Sequence, residues 1–193
     1  MRLFNLKKSI LGSGVLASAV DCHSHILYGV DDGVRDLAES LRILDYMESA
    51  GLSDLWLTPH VMEDVPNTTE SLQKRFAELC LSYHGAVRLH LAAEYMMDSL
   101  LMERADAGDL LTMDDNTVLV ETSVWRAPEN WEYIFEKLNS RGYRPLFAHV
   151  ERYQYLREED YDRLYRLGIG MQLNYGSLTG FYGETARRRA HSL

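Results

Sequence analysis

The feature that most constrains this chain is an alternation that begins at Val20. Short apolar runs of strand length take turns with longer stretches whose apolar residues recur at helical spacing. Residues 20–22, 53–58, 87–93, 117–120, 145–148 and 169–173 read as about six strands. Between them, Leu37, Leu41, Leu44 and Met47 share one helical face up to Gly51, after a capping-box-like Asp36 and Glu39. Leu72, Phe76, Leu79 and Tyr83 form a second such face ended by Gly85, and residues 129–141 and 158–167 read as further helices. Crossovers of that length join parallel strands. Right-handed βαβ units in series either close into a barrel or open into a doubly wound sheet. Glycine-rich phosphate fingerprints are absent, which weakens the dinucleotide-binding version of the open sheet. A complete TIM-like barrel takes about eight strands and roughly 250 residues, so a chain of 193 residues looks one or two units short.

Composition narrows the partners. With 46% hydrophobic residues, the chain has material for one globular domain with a sizeable core. Its 29 acidic against 20 basic side chains give a net charge of -9, and the basic run Arg187-Arg188-Arg189 is too short to make a nucleic-acid or anionic-membrane surface. No run of about 18 apolar residues occurs, so no transmembrane segment is expected. Two cysteines, Cys22 and Cys80, are too few for a disulfide scaffold and point to a reducing cytoplasm. Oligomeric state is not legible. Met1-Arg2 and Lys7-Lys8 ahead of a stretch ending in Ala17-Ser18-Ala19 resemble a weak secretory signal, but Ser9, Gly12, Ser13 and Gly14 break its apolar run. Residues 1–19 are therefore read as a mobile N-terminal arm and 20–193 as the domain.

Nearly every strand is followed at once by a residue of metal-ligand type. His23, His25 and Asp32 follow the first strand and His60 the second; Glu94, Glu121, His149 and Asn174 follow the next four. In a parallel barrel the carboxyl ends of all strands meet at one face, so these side chains would converge. Imidazole and carboxylate without thiolate suit Mn, Fe, Zn or Mg rather than a structural zinc knot. Each motif alone has a bland explanation. A lone His-x-His is commonly incidental, Asp31-Asp32-Gly33 is a common turn, and Thr58-Pro59-His60 reads equally as a strand ending at proline. Glu94 and Glu121 each close an apolar run, where an unpaired carboxylate is expensive to bury. One shared site explains all of them together.

Arg152, three residues after His149, is placed to meet a phosphoryl group, with a surface salt bridge to Glu151 as the equal alternative. His84 reads as a helix-end residue, His90 as an outer strand position and His191 as part of a frayed end. No Cys-x5-Arg loop, Gly-x-Ser-x-Gly elbow or Gly-x4-Gly-Lys loop is present, so any chemistry is metal-borne.

Taken in order, Asp21-Cys22-His23-Ser24-His25, Gly29-Val30-Asp31-Asp32-Gly33, Thr58-Pro59-His60, Ala93-Glu94-Tyr95, Val120-Glu121 and Ala148-His149-Val150-Glu151-Arg152 resemble the bacterial capsule-type tyrosine-protein phosphatases of the PHP (polymerase and histidinol phosphatase) superfamily. The resemblance implies a distorted TIM-like α/β barrel with a trinuclear, typically manganese-dependent site. The implied substrate is phosphotyrosine on the tyrosine kinase that controls export of capsular or extracellular polysaccharide. By motif, His23, His25, Asp32, His60, Glu94, Glu121 and His149 would be ligands, with His149 and Arg152 the catalytic pair and Arg152 binding the phosphate.

The family pattern runs on into a further strand ending in an Asp-x-His pair, and no such pair follows Asn174 here. The expectation is a barrel incomplete at its C-terminal end and a ligand set short of its last members. Two other readings follow: a PHP-type phosphatase acting on a small phosphomonoester such as histidinol phosphate, and a non-catalytic remnant.

Overall fold

The computed structural model describes Gly14 and residues 16–193, so most of the arm expected over 1–19 lies outside the described residues. In chain order the elements begin with β1 (Val20–Ser24), α1 (Leu37–Ser49), β2 (Asp54–Leu57), β3 (His60–Val61) and α2 (Thr69–Ser82). There follow β4 (Arg88–Leu91), β5 (Glu94–Met96), α3 (Ser99–Ala107), β6 (Thr117–Glu121), α4 (Trp131–Ser140) and β7 (Arg144–Phe147). A 3-10 turn over Val150–Arg152 leads to α5 (Glu158–Arg166), β8 (Gly170–Met171), α6 (Tyr175–Leu178) and α7 (Glu184–Ser192). Among the described residues no helix is long and apolar enough to cross a membrane.

The described residues form two compact units: one runs up to Pro59 and takes in Glu70–Leu91, and the other comprises His60–Thr69 and Ala92–Leu193. Each unit has its own parallel sheet. The first is three-stranded in the order β1-β2-β4, with Val20 opposite Asp54 and Asp54 opposite Arg88. The second is five-stranded in the order β3-β5-β6-β7-β8, with His60 opposite Glu94, Glu94 opposite Leu119 and Leu119 opposite Leu146. The parallel α/β class expected from the alternation is what forms. The hydrogen bonding draws two sheets rather than one closed barrel sheet.

Two expected strands are in fact interrupted. The run 53–58 ends at Leu57, Pro59 supplies no backbone N–H, and pairing resumes at His60 in the other sheet. The run 87–93 likewise leaves the first sheet after Leu91 and enters the second at Glu94.

Local chemistry explains the helices. The Asp36 carboxylate caps α1 by accepting the Glu39 N–H at 2.9 Å, and Asp98 caps α3 by accepting that of Leu101 at 3.2 Å. Helix α3 ends at Gly108, whose φ of 67° is the left-handed conformation such a stop requires. The first core is aliphatic, with Leu27, Leu44, Leu55, Leu57, Leu72 and Leu79 fully buried. In the second, Val118, Leu119 and Val120 of β6 are fully buried, the continuous apolar run of a strand covered on both faces. Phe135 and Phe147 pack edge to face beside them at 5.3 Å. The frayed end expected around His191 is instead α7: Ala186 and Ala190, one turn apart, are buried, and the Arg189 guanidinium donates to the carbonyls of Tyr153 and Leu156.

Candidate metal centre

The second sheet assembles four of the expected ligands. His60 and Glu94 open the neighbouring strands β3 and β5 and stand opposite each other; Glu121 ends β6, and His149 lies two residues past β7. His60 Nδ1 lies 3.2 Å from Glu94 Oε2 and 2.9 Å from Glu121 Oε1. His149 Nε2 lies 3.1 Å from Glu94 Oε1 and 3.7 Å from Glu121 Oε2. The Glu94 side chain is 1% exposed and that of His149 5%. Two carboxylates buried this deeply carry a desolvation cost of several kcal/mol each unless a positive charge compensates them. The arrangement fits a divalent cation: two imidazoles and two carboxylates are the donors of first-row ions and Mg. Neighbouring donors about 2.1 Å from one ion stand roughly 3.0 to 3.4 Å apart in octahedral or tetrahedral coordination; the His–Glu separations of 3.1 and 3.2 Å fall in that range, 2.9 Å lies just below it and 3.7 Å just above.

His149 reaches this position through a strained backbone. Its φ of 35° and ψ of 49° are left-handed, a conformation side chains with a Cβ avoid, and the 3-10 turn begins directly after it. Tyr153 packs behind it, with ring centroids 5.5 Å apart, and its hydroxyl accepts the Thr122 N–H at 3.2 Å. Burial, opposed by that hydrogen bond and reinforced by the negative charges of Glu121 and Glu94, holds the Tyr153 hydroxyl well above the ordinary phenol range, so it is neutral at physiological pH.

The first unit carries the other three. His23 and His25 point the same way from the end of β1, their Nε2 atoms 3.3 Å apart, as i and i+2 positions of an extended chain should. The Nδ1 of His25 pairs with Asp31 Oδ2 at 2.8 Å, and the Asp31 side chain is fully buried. This is the carboxylate-imidazole support that fixes ring orientation, with Nε2 turned toward His23. Sequence reasoning set Asp31 aside as a turn residue; its only signal was the doubled aspartate. Asp32 is exposed, with a carboxylate oxygen within 4.8 Å of a His25 ring nitrogen. Gly33 is required for steric reasons, since a Cβ there would sit 2.3 Å from the His25 carbonyl oxygen. Asp21 accepts the His23 N–H at 3.1 Å, and burial raises its carboxyl pKa.

Three expectations change. Asn174, read as one of the converging strand-end residues, is engaged at the head of α6, where its side chain accepts the Gly176 N–H at 2.9 Å. Glu151 does not face solvent to pair with Arg152; it is fully buried and accepts from Ser177 Oγ at 2.6 Å and from the Asn174 N–H at 3.1 Å. Arg152 instead lies over the Tyr182 ring, 4.4 Å from its centroid. His90 is more than an outer position, because Asp54 accepts from it at 2.9 Å and is held below the usual carboxylate range chiefly by Arg88. Sequence reasoning did not find Tyr153 or Tyr182.

Similarity to known proteins agrees with this chemistry. The tyrosine-protein phosphatase YwqE of Bacillus subtilis (strain 168) is 29% identical over 177 residues, covering 86% of this chain and 68% of that protein. The tyrosine-protein phosphatase CpsB of Streptococcus pneumoniae is 28% identical over 178 residues, covering 86% and 72%. Among solved structures, a chain from the crystal structures of YwqE from Bacillus subtilis and CpsB from Streptococcus pneumoniae, described as unique metal-dependent tyrosine phosphatases, superposes with a TM-score of 0.78 at 26% identity, covering 88% of this chain and 72% of that one. Residues 19–193 match the family described as capsular polysaccharide synthesis, CpsB/CapC. The chain belongs to the CpsB/CapC family.

Proposed function

We propose that this chain is a metal-dependent protein-tyrosine phosphatase that removes phosphate from tyrosine residues of a kinase controlling polysaccharide export. The observation that carries the reading is the buried His60–Glu94–Glu121–His149 donor set, two carboxylates and two imidazoles with the His–Glu separations of a divalent-cation site. It is supported by the tyrosine phosphatases to which the chain is similar. In this reading residues 20–193 form one catalytic domain of the distorted-barrel type, and the enzyme works in the cytoplasm. His23, His25, Asp32, His60, Glu94, Glu121 and His149 would hold a multinuclear centre, with manganese the expected metal.

When bound, divalent ions supply Lewis acidity, which lowers the pKa of water to make a nucleophile and neutralises charge on the phosphoryl oxygens. The protein's own groups prepare that chemistry. Asp31 locks the His25 ring, and the opposed positions of His60 and Glu94 fix donor spacing through the sheet itself. Arg152, with planar N–H donors, offers two parallel hydrogen bonds to the phosphate and stabilises charge that grows in the transition state. Tyr153 packs neutral behind His149 and adds no negative charge to a carboxylate-rich site.

The test is hydrolysis of a phosphotyrosyl peptide and of histidinol phosphate by the purified chain, with and without Mn²⁺, with His149→Ala as control. Manganese-dependent turnover of the peptide, lost in the variant, is the expected result. Preference for histidinol phosphate would reassign the substrate, and a folded protein inert toward both would remove the catalytic reading.

A further inference from the structure

We propose that Tyr182 is a positioning residue for Arg152, holding the guanidinium in a fixed place and so setting the affinity of the site for phosphate. The inference rests on the reading of Arg152 as the phosphate-binding residue.

Arginine is a long side chain that loses considerable rotamer freedom when it binds an anion. Arg152 ends the 3-10 turn that follows His149, and its guanidinium carbon lies 4.4 Å from the centroid of the Tyr182 ring. That is well inside the roughly 6 Å over which an aromatic face attracts a cation. Contact over a ring face leaves the N–H donors of the guanidinium to oxygen acceptors, so it fixes the group without consuming what phosphate recognition needs.

The ring is itself held. The Tyr182 hydroxyl accepts from Asn174 Nδ2 at 3.3 Å, and the Asn174 backbone N–H donates to Glu151 Oε1 at 3.1 Å. Glu151 is the chain neighbour of Arg152, fully buried, and is also bound by Ser177 Oγ at 2.6 Å. The contacts therefore close a ring: Arg152 to Tyr182, to Asn174, to Glu151 and back along the backbone. Arg152, Tyr182 and Thr185 border a cavity of about 180 Å³, space into which the guanidinium would swing if the aromatic face were removed. At 39% exposure Tyr182 contributes little to the core, and the contact the proposal rests on is its aromatic face against Arg152.

The experiment compares wild type, Tyr182→Phe, Tyr182→Leu, Arg152→Ala and the Arg152→Ala/Tyr182→Leu double variant, all as the full chain in Mn²⁺. It reads KM and kcat for a phosphotyrosyl peptide and the dissociation constant of inorganic phosphate by calorimetry. Tyr182→Leu is expected to weaken phosphate binding and raise KM about three- to tenfold, with kcat changed less than about twofold. Tyr182→Phe, which keeps the ring, should stay within about twofold of wild type, and Tyr182→Leu should add nothing once Arg152 is alanine. An equal loss in Tyr182→Phe and Tyr182→Leu, or a full Tyr182→Leu effect in the Arg152→Ala background, would overturn the proposal. If Tyr182→Leu does not fold, the Tyr182→Phe value decides: a loss of threefold or more sinks the idea, and retention supports it. Arg152→Ala alone separates the two layers, because unchanged phosphate affinity there would remove the reading of Arg152 and this inference with it.

Discussion

A divalent ion should stabilise this protein measurably, because it relieves the repulsion between buried carboxylates. Glu94 and Glu121 bring oxygens within 4.8 Å of each other while both touch the same His60 nitrogen. At that separation and an effective dielectric constant of about 20, their repulsion is roughly 3 kcal/mol. An ion between them converts that penalty into attraction. With metal at about 100 times its dissociation constant, linkage predicts about 2.7 kcal/mol of stabilisation. For a chain of 193 residues that corresponds to a rise in Tm of roughly 5 to 10 °C. The assay is thermal unfolding after chelation, followed by titration with Mn²⁺, Fe²⁺, Zn²⁺ and Mg²⁺. Glu94→Gln keeps the shape and deletes one charge, so its Tm should respond to the same metal by less than about a third as much. Equal rises in wild type and Glu94→Gln would place the responding metal elsewhere. No rise with any of these ions would refute the argument from buried charge.

Two further outcomes follow from the geometry. Gly33→Ala places a Cβ 2.3 Å from the His25 carbonyl oxygen and 2.6 Å from its Cβ, so urea denaturation should show a loss of about 1 to 3 kcal/mol together with a weakened metal response. Gly108→Ala, where φ is 67° and nothing lies within 4 Å, should cost about 1 kcal/mol and leave the metal response intact; equal metal responses in the two variants would contradict the role given to the His25 loop. Burial pushes the Tyr95 hydroxyl up to about 12, partly offset by the Leu111 N–H it accepts. Because the folded value is raised above an unfolded value of about 10, its stabilisation is complete below about pH 10 and lost as pH climbs toward 12, an effect on the order of 2 to 3 kcal/mol. Tyr95→Phe should flatten that alkaline limb in denaturant titrations. Ionisation of Tyr95 near pH 10 in the folded protein, seen by ultraviolet difference absorbance between wild type and Tyr95→Phe, would show the burial argument to be wrong.

What the sequence disclosed and what it hid have separate physical causes. Helix α1 was legible from both ends because Asp36 is a capping residue and Gly51 has the left-handed φ of 93° that suits a stop. Strands β3 and β5, of two and three residues, are too short for an alternation of period two to register, so they merged with the apolar runs before them. Helix α7 buries only alanines among arginines, and an Ala stripe carries almost no hydrophobic signal against Arg187-Arg188-Arg189. In α3 the buried pair Leu101 and Ala105 is likewise too small a stripe to stand out from the apolar residues around it.

The positions of the candidate ligands were legible because parallel topology converts sequence position into spatial position: a residue that follows a strand sits at the carboxyl face. The residues that orient the ligands were not, since their role depends on direction rather than place. Asp31 and Asp32 are adjacent and chemically identical, yet the Asp31 side chain is fully buried against His25 Nδ1 while Asp32 is exposed. His149 shows why such direction matters. A left-handed backbone at a residue with a Cβ costs on the order of 1 to 2 kcal/mol, and glycine at that position would relieve it. The imidazole is nevertheless kept there, 3.1 Å from Glu94 and backed by Tyr153. The same backbone turn that aims His149 at the carboxylates starts the 3-10 helix that ends at Arg152. A relaxed residue 149 would therefore displace Arg152 along with the His149 imidazole, which couples the strain to both halves of the proposed chemistry.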